Sequence, residues 1–257
     1  MVEIRVRSFP RVNTTWFAER AAVPSRAERL VSYQILFNQI QEKPSAEIEK
    51  RATVSPFTTL LIDLTSSEDA LWESLRKRTR SYVKAAANLP HELAWFHADP
   101  DLRFFEFLTN FCAQKNVWIP SRSSYTRHID SGVISSCVVD GEINVLHFYL
   151  VDRERARVRL LWSARALDGD ATAYTARLNK LLHWEDLLYF KNELSMRTFD
   201  WGGVALTNEA LSGVDEFKRG FGGLVVTEWN VIWRSPLYSS LYSSMKQSIL
   251  RRSKAHR

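Results

Sequence analysis

The chain has 257 residues, of which 45% are hydrophobic and 12% aromatic, and this content excludes an intrinsically disordered protein. Its formal net charge is +6, from 35 Lys and Arg residues against 29 Asp and Glu residues. This excess is typical of a soluble protein with a basic tail. It is also compatible with a polyanionic partner such as RNA, nucleotide phosphates or an anionic lipid surface.

The cysteines and the lack of long apolar segments indicate the cellular compartment. Cys112 and Cys137 form no Cys-x-x-Cys pair, and the histidines do not have zinc-ligand spacing. No run approaches the ~18 apolar residues that a membrane-spanning helix needs. We therefore expect a reduced, cytoplasmic protein without a metal or a transmembrane segment.

Residues 1–57 are expected to form an N-terminal segment of their own. Val2, Ile4 and Val6 alternate with charged residues, which predicts a strand rather than a signal peptide. Helical and strand periods mix in the rest of this segment, where we expect a helix over residues 27–40.

From Thr58 onward the pattern predicts alternating strands and helices. A strand at 59–64 precedes one long helix over 65–87, a strand at 93–96 and a helix that begins at Asp99-Pro100. Three antiparallel strands follow, at 132–139, 143–150 and 157–162, and Asp140-Gly141 forms the first hairpin turn. The remaining elements are a helix at 171–191, a strand at 197–200, a short helix leading to Phe217, a strand at 224–233 and a basic tail at 236–257.

This order predicts an α/β (α+β) domain over residues 58–235, with a mixed, mostly antiparallel central sheet and flanking helices. Three meander strands followed by helix, strand, helix and strand is the order of the GNAT-type acyltransferase fold. Fold analogy alone does not establish a function, so the assignment depends on the residues of a site.

Two glycine-rich motifs are candidates for that site, Asp200-Trp201-Gly202-Gly203 and Phe217-Lys218-Arg219-Gly220-Phe221-Gly222-Gly223. Paired glycines after a strand permit positive φ angles or a close approach of the backbone. A lysine between two phenylalanines can act as a positive charge in a low-dielectric pocket, where Coulomb interactions are strong. The alternative is that the glycines only form turns and Lys218 points to solvent.

With these two motifs, residues from about 76 to 233 resemble the FemAB-like branch of the GNAT superfamily. An aspartate followed by a small residue and glycines, then Phe-Lys, two residues and Phe-Gly, is the signature of that family. Its Arg-Lys-x-x-Arg helix and its Asn-x-x-x-x-Trp helix correspond more weakly to residues 76–80 and 179–184. The resemblance implies an enzyme that transfers an aminoacyl group from aminoacyl-tRNA to an amine and uses no cofactor. We expect a monomer or a homodimer.

The resemblance also implies roles for individual residues. Lys218 would polarise the ester carbonyl and stabilise the oxyanion, because acyl transfer places negative charge on one oxygen. Asp200 is the second expected catalytic residue and would bind the acceptor amine. The expected substrate-binding residues are Phe217, Phe221, Gly202, Gly203, His147, Asn179 and Glu228.

The histidines have competing interpretations. His147 lies on a meander strand with Ile143, Val145 and Tyr149 on its face, so it is either a base or acceptor ligand in the cleft or a core histidine. His183 falls on the polar side of its helix, and we expect it to be exposed.

Arg76, Arg80 and Lys84 follow one another at i, i+4 and i+8 and predict a basic ridge beside the apolar face of their helix. This ridge is the expected contact for tRNA phosphates if the donor is aminoacyl-tRNA. The alternative is an ordinary solvated surface.

The loop at 163–171 argues against acyl-CoA as the donor. Acetyl-CoA enzymes of this fold use Arg/Gln-x-x-Gly-x-Gly/Ala there, and its amides hold the pyrophosphate. Here Arg165 and Gly169 are one residue too far apart, and Asp168 and Asp170 would face the phosphates. An acyl-CoA-dependent N-acyltransferase is still one alternative, and a non-catalytic module that binds RNA or a precursor is another.

The acceptor also stays open. Enzymes of the FemAB-like branch usually carry two GNAT-like units, and residues 1–57 could hold only part of a first one. That argues against a long peptidoglycan precursor. The acceptor could be any cell-wall, surface-glycan or natural-product precursor that carries an amine.

Overall fold

The computed structural model describes residues 1–5, 12–32, 34–99, 102–167, 172–205 and 212–235. The basic tail expected at 236–257 and residues 168–171 of the loop discussed above lie outside these ranges. The chain divides into two compact units, an N-terminal unit of residues 1–57 with 227–257 and a second unit of residues 58–226.

The described residues form ten strands and eight helices. The strands are β1 (Val2–Arg5), β2 (Val12–Trp16), β3 (Gln34–Ile40), β4 (Thr53–Asp63), β5 (Glu92–Phe96), β6 (Gly132–Val139), β7 (Glu142–Asp152), β8 (Arg157–Arg165), β9 (Thr198–Gly203) and β10 (Leu224–Arg234). The helices are α1 (Arg26–Val31), α2 (Ala46–Arg51), α3 (Glu68–Ser74), α4 (Lys77–Ala87), α5 (Arg103–Gln114), α6 (Arg122–Ile129), α7 (Thr172–Asn192) and α8 (Ser212–Arg219). None of the helices has the length and apolar character needed to cross a bilayer.

In the N-terminal unit the strand order is β1, β2, β3 and β10. β2 and β3 pair in parallel, whereas β1–β2 and β3–β10 are antiparallel. The helix expected over 27–40 is wrong in its second half, because α1 ends at Val31 and β3 follows. Ile35 and Phe37 alternate with less buried residues and pack against Val231, which is the period of a strand.

In the second unit the strand order is β4, β9, β8, β7, β6 and β5. Every neighbouring pair is antiparallel except β8 and β9. The expected mixed, mostly antiparallel sheet with flanking helices is therefore confirmed. The parallel β8–β9 ladder comprises three residue pairs, from Arg157 with Thr198 to Arg159 with Asp200, and both strands continue beyond it.

Alternation along the strands gives the second unit a core on each face of its sheet. On β6, Val133 packs into the larger cluster with α3, α4 and α7, while the next residue, Ile134, packs into a second cluster with α5 and α6. On β7, Tyr149 packs into the larger cluster and its neighbour Phe148 packs into the second one. Helices therefore cover both faces, and the larger cluster underlies the site described below.

The helix expected over 65–87 is divided in two, and α6 was not predicted. The backbone is extended at Leu75 and Arg76, between α3 and α4. The amide of Arg76 donates to the carbonyl of Gly220 at 2.9 Å, so a tertiary contact occupies the group that would continue the helix. The segment that follows α8 is therefore hydrogen-bonded to this break through Gly220.

Candidate functional site

The last turn of α8 and residues 220–223 pack against the α3–α4 break. A Cβ atom on Gly220 would lie 2.7 Å from the Thr79 hydroxyl, so this position is in close contact with α4. Gly223 has a φ of +97°, and a Cβ there would lie 2.6 Å from the carbonyl oxygen of Leu61. The close approach and the positive φ both require glycine at residue 223. The glycines of the second motif thus fix the backbone that carries Lys218.

Lys218 is held against the end of β9 rather than extended into solvent. Its Nζ donates to the carbonyl oxygen of Gly203 at 2.6 Å. Burial lowers the pKa of Lys218, and the charge of Asp215 partly opposes that shift. Because an ammonium group has three N–H donors, the bond to Gly203 leaves two for another acceptor.

Three aromatic rings pack together next to Lys218, and they are called the aromatic shell below. They belong to Phe217, Phe221 and Trp201. The ring of Phe217 lies 5.6 Å from that of Phe221, and the ring of Trp201 lies 4.9 Å from Phe221. Phe221 and Trp201 are fully buried, whereas Phe217 is half-buried. The structure therefore brings together Lys218, both phenylalanines of its motif and the Gly202–Gly203 turn.

Asp200 is buried beside this turn, and both of its carboxylate oxygens have intramolecular partners. Oδ2 accepts a hydrogen bond from Arg157 at 2.6 Å, and Oδ1 accepts from the amide of Gly202 at 2.8 Å and from the hydroxyl of Thr59. Burial alone would raise the pKa of Asp200, but the charge of Arg157 and these hydrogen bonds hold it below its usual value. In this geometry Asp200 positions the Gly202–Gly203 turn that receives Lys218.

A buried polar network lies beneath the aromatic shell and is centred on Asp186 of α7. Its carboxylate accepts hydrogen bonds from four side chains, which are Trp95 Nε1 at 2.8 Å, Ser135 Oγ at 3.0 Å, His147 Nδ1 at 2.8 Å and Tyr149 Oη at 2.6 Å. The second ring nitrogen of His147 lies 2.8 Å from Asn179 Oδ1. His147 thus connects Asp186 to Asn179 within this buried network.

His183 connects this network to the aromatic shell. It is buried, which corrects the expectation that it is exposed. Its ring stacks on that of His147 with centroids 3.7 Å apart, and it also contacts Trp201 at 4.6 Å and Phe217 at 5.5 Å. Burial lowers the pKa of His183 well below its ordinary value, and the nearby positive charges of His147 and Lys218 act in the same direction.

His147, His183 and Asp186 each present a ligand-type atom within 4.8 Å of the others, but their geometry does not suit a metal ion. The two rings are nearly parallel, with 12° between their planes, so their in-plane lone pairs do not converge on one point. The carboxylate of Asp186 already accepts four hydrogen bonds. The cluster is a hydrogen-bonded network that supports the floor of the site.

Asn179 and Lys180 lie one turn before His183 on α7. Asn179 is half-buried and contacts His147 as described. Lys180 Nζ lies 5.1 Å from the ring centroids of both Phe217 and Tyr82, and burial lowers its pKa. A second cation therefore lies beside the phenylalanine of the Phe-Lys motif.

The members of the basic ridge differ in their contacts. Arg80 donates to the carbonyls of Glu73 and Leu75, both at 2.8 Å, and so satisfies the end of α3. Arg76 is exposed, 3.9 Å from Glu216, and Lys84 is exposed above the ring of Trp72. Arg76 and Lys84 are thus available to an external anion, whereas Arg80 has a structural role.

Glu228 belongs to the N-terminal unit. Its carboxylate accepts a hydrogen bond from Gln39 Nε2 at 2.9 Å, and both side chains are buried there. Its role as a substrate ligand stays a prediction. Sequence reasoning assigned no role to Lys180, His183 or Asp186, although Asn179, His183 and Asp186 have the i, i+4, i+7 spacing of one helix face.

Neither a known protein-family model nor a curated protein sequence matches the chain. Among solved structures, FemX matches with a TM-score of 0.61 and 11% identity over 94% of this chain and 85% of FemX. The C-terminal domain of a putative lysylphosphatidylglycerol synthetase from Agrobacterium fabrum matches with a TM-score of 0.55 and 11% identity, over 96% of this chain and 85% of that one. L-PGS from Bacillus licheniformis matches with a TM-score of 0.50 and 11% identity, over 85% of this chain and 73% of L-PGS. The chain therefore has the fold of FemX, and the GNAT-type fold predicted from the order of its strands and helices is confirmed.

Proposed function

We propose that this protein is an aminoacyltransferase that moves an amino acid from the ester of an aminoacyl-tRNA to an amine acceptor. The observation that carries the proposal is the position of Lys218, a half-buried residue whose ammonium is held on Gly203, next to the packed rings of Phe217, Phe221 and Trp201. The FemX fold and the two glycine-rich motifs support the same reaction class.

The chemistry requires a positive group at one oxygen. The acceptor amine attacks the ester carbonyl carbon, a C–N bond forms, and the carbonyl electrons move onto oxygen. Collapse of this intermediate breaks the bond to the ribose oxygen. The ribose oxygen leaves with its electron pair and gains a proton, and the amine nitrogen loses one. An ester is activated enough that no covalent enzyme intermediate is needed.

Lys218 is suited to stabilise the charge on the carbonyl oxygen. It presents two N–H donors beyond its bond to Gly203, and the fixed backbone at 220–223 keeps its position. Its lowered pKa makes the ammonium a stronger hydrogen-bond donor. A preorganised donor of this kind accelerates acyl transfer by about 10²–10³-fold.

In this proposal Asp200 acts through its neighbours. It holds the amide of Gly202, and the carbonyl of the next residue, Gly203, binds Lys218. Phe217, Phe221 and Trp201 lower the local dielectric, which strengthens the interaction of Lys218 with a developing oxyanion. Arg76 and Lys84 would contact the phosphates of the tRNA.

Donor discrimination tests the proposal. The purified protein is incubated with aminoacyl-tRNA carrying labelled amino acids, and separately with labelled acyl-CoAs, in the presence of small primary amines. Loss of one amino acid from tRNA with formation of an amide supports the proposal. Turnover of acyl-CoA alone would contradict it and favour a CoA-dependent N-acyltransferase. Saturable tRNA binding without turnover would instead favour a non-catalytic binding module.

A further inference from the structure

The connection between α5 and α6 exposes three consecutive apolar side chains. Val117 is 52% exposed, Trp118 70% and Ile119 45%, and these three residues are called the apolar tip below. Single exposed apolar residues are common on protein surfaces, whereas a contiguous group marks an interaction surface. Trp118 is also the most exposed large apolar side chain among the described residues.

The exposure of the apolar tip is built into the backbone on its N-terminal side. Asn116 has a φ of +51°, its amide bonds to the carbonyl of Ala113, and the amide of Val117 bonds to the carbonyl of Cys112 at 3.0 Å. This pair of hydrogen bonds is the Schellman motif, which ends a helix in one defined direction. α5 therefore ends in a fixed geometry directly before the tip.

The C-terminal side is fixed as well. Pro120 is buried, and Ser121 caps α6 by accepting a hydrogen bond from the amide of Ser124 at 3.2 Å. Tyr125, one turn later, is buried and donates to Asp99 at 2.8 Å. The apolar tip thus lies between two anchored helix ends, and its three side chains are exposed there.

The charged residues that flank the apolar tip in sequence have one sign. No Asp or Glu occurs between Glu106 and Asp130, whereas Lys115, Arg122 and Arg127 lie in that interval. Lys115 and Arg122 flank the tip directly, and both are exposed. A Trp-containing apolar projection with flanking cations matches the interface of an anionic bilayer, where Trp lies at the headgroup level and Lys and Arg meet lipid phosphates.

We propose that residues 115–122 form a docking site for an anionic membrane surface, with Val117, Trp118 and Ile119 inserted among the headgroups and Lys115 and Arg122 on the lipid phosphates. The occupant is a lipid surface rather than an acidic protein, because three adjacent apolar side chains at a projecting tip fit a fluid interface. Binding of this kind is peripheral and reversible. The proposal does not depend on the transfer reaction, since binding is measured without a donor or an acceptor.

Vesicle flotation tests the proposal with the full chain. Vesicles of phosphatidylcholine containing about one third phosphatidylglycerol should carry the protein, and vesicles of phosphatidylcholine alone should carry much less. Replacing the apolar tip by serines (V117S, W118S and I119S together) should weaken binding at least about tenfold. Lys115→Gln and Arg122→Gln should each weaken it about fivefold.

Matched controls come from other parts of the surface. Leu224→Ser removes an apolar side chain that is 69% exposed, and Arg153→Gln removes an exposed cation, so both variants should bind like the wild type. Binding to anionic vesicles that survives the triple serine change, or no binding to them by the wild type, would overturn the proposal. Self-association in sedimentation that the triple change abolishes would also overturn it, since the tip would then contact a second copy of the chain.

Discussion

The imidazole rings of His147 and His183 are stacked, with centroids 3.7 Å apart and 12° between their planes. His147 Nδ1 donates to Asp186 at 2.8 Å, and the ring of His183 packs against His147, Trp201 and Phe217. Burial, together with the nearby His147, Lys218 and Lys180, lowers the pKa of His183 well below the ordinary value. The floor of the site thus contains a buried histidine that the fold keeps neutral.

Protein stability should therefore fall as the pH decreases below about 6.5, the histidine pKa in the unfolded chain. The unfolded chain binds a proton there that folded His183 does not, which costs up to about 1.4 kcal/mol per pH unit. The lowered pKa of the half-buried His128 acts in the same direction. Urea unfolding between about pH 7 and pH 5 measures the slope. It should be smaller in His183→Gln and unchanged in His97→Gln, an exposed control. Equal slopes in the wild type and His183→Gln would contradict this account.

Asp186→Asn should destabilise the protein by about 1–3 kcal/mol, because the amide presents two N–H donors to buried groups that themselves donate to Asp186. Thermal unfolding of this variant beside Asp69→Asn, an exposed carboxylate on α3, separates the effect on the buried network from a general charge effect. A loss below about 0.5 kcal/mol would contradict the central place of the Asp186 carboxylate in this network.

Gly223→Ala should destabilise the protein by more than about 1 kcal/mol, since residue 223 needs a φ of +97° and the new Cβ would meet the Leu61 carbonyl at 2.6 Å. Gly213 is the matched control, because nothing lies within 4 Å of a Cβ there and its φ is not positive. Gly213→Ala lies in α8 and should stabilise it by about 0.5–1 kcal/mol. Chemical denaturation compares the two changes, and equal effects would argue against the tight packing of residues 220–223.

The basic ridge should separate into binding and structural residues. Arg76→Gln and Lys84→Gln should each weaken tRNA binding, with protein stability unchanged. Each change should also reduce the slope of log affinity against log salt concentration by about one. Arg80→Gln should instead lower the free energy of unfolding by about 1 kcal/mol, because the Arg80 guanidinium caps the carbonyls at the end of α3. Filter binding over a range of salt concentrations, combined with thermal unfolding, measures both effects. Unchanged tRNA affinity in the Arg76 and Lys84 variants would remove this surface from the donor site.

Local signals account for the parts of the fold that the sequence predicts well. The three meander strands follow from period-two alternation and the Asp140-Gly141 turn, which depend only on neighbouring residues. The α3–α4 break has no such signal, because no Pro or Gly lies there and the break depends on Gly220 and Arg80. β3 was assigned to a helix because its seven residues contain apolar side chains at spacings that fit both periods.

The site was predicted where its residues lie in a compact motif and missed where they are distributed. Phe217, Lys218 and Phe221 are adjacent in sequence and in space. His183 and Asp186 were not identified, because a helical wheel assigns polar residues to solvent. They face Ser135 and His147, which are register partners on β6 and β7, so polar residues on two elements satisfy one another inside the core.

The rate of transfer in Lys218→Ala tests the central claim most directly. The measurement is single-turnover discharge of the aminoacyl-tRNA that the wild type uses, with Lys218→Arg and Arg219→Ala as companion variants. Arg219 is the exposed neighbour of Lys218 on the same helical turn. The account predicts a loss of about 10²–10³-fold in Lys218→Ala, with an unchanged melting temperature and normal activity in Arg219→Ala. Wild-type discharge by Lys218→Ala would contradict the role proposed for this residue.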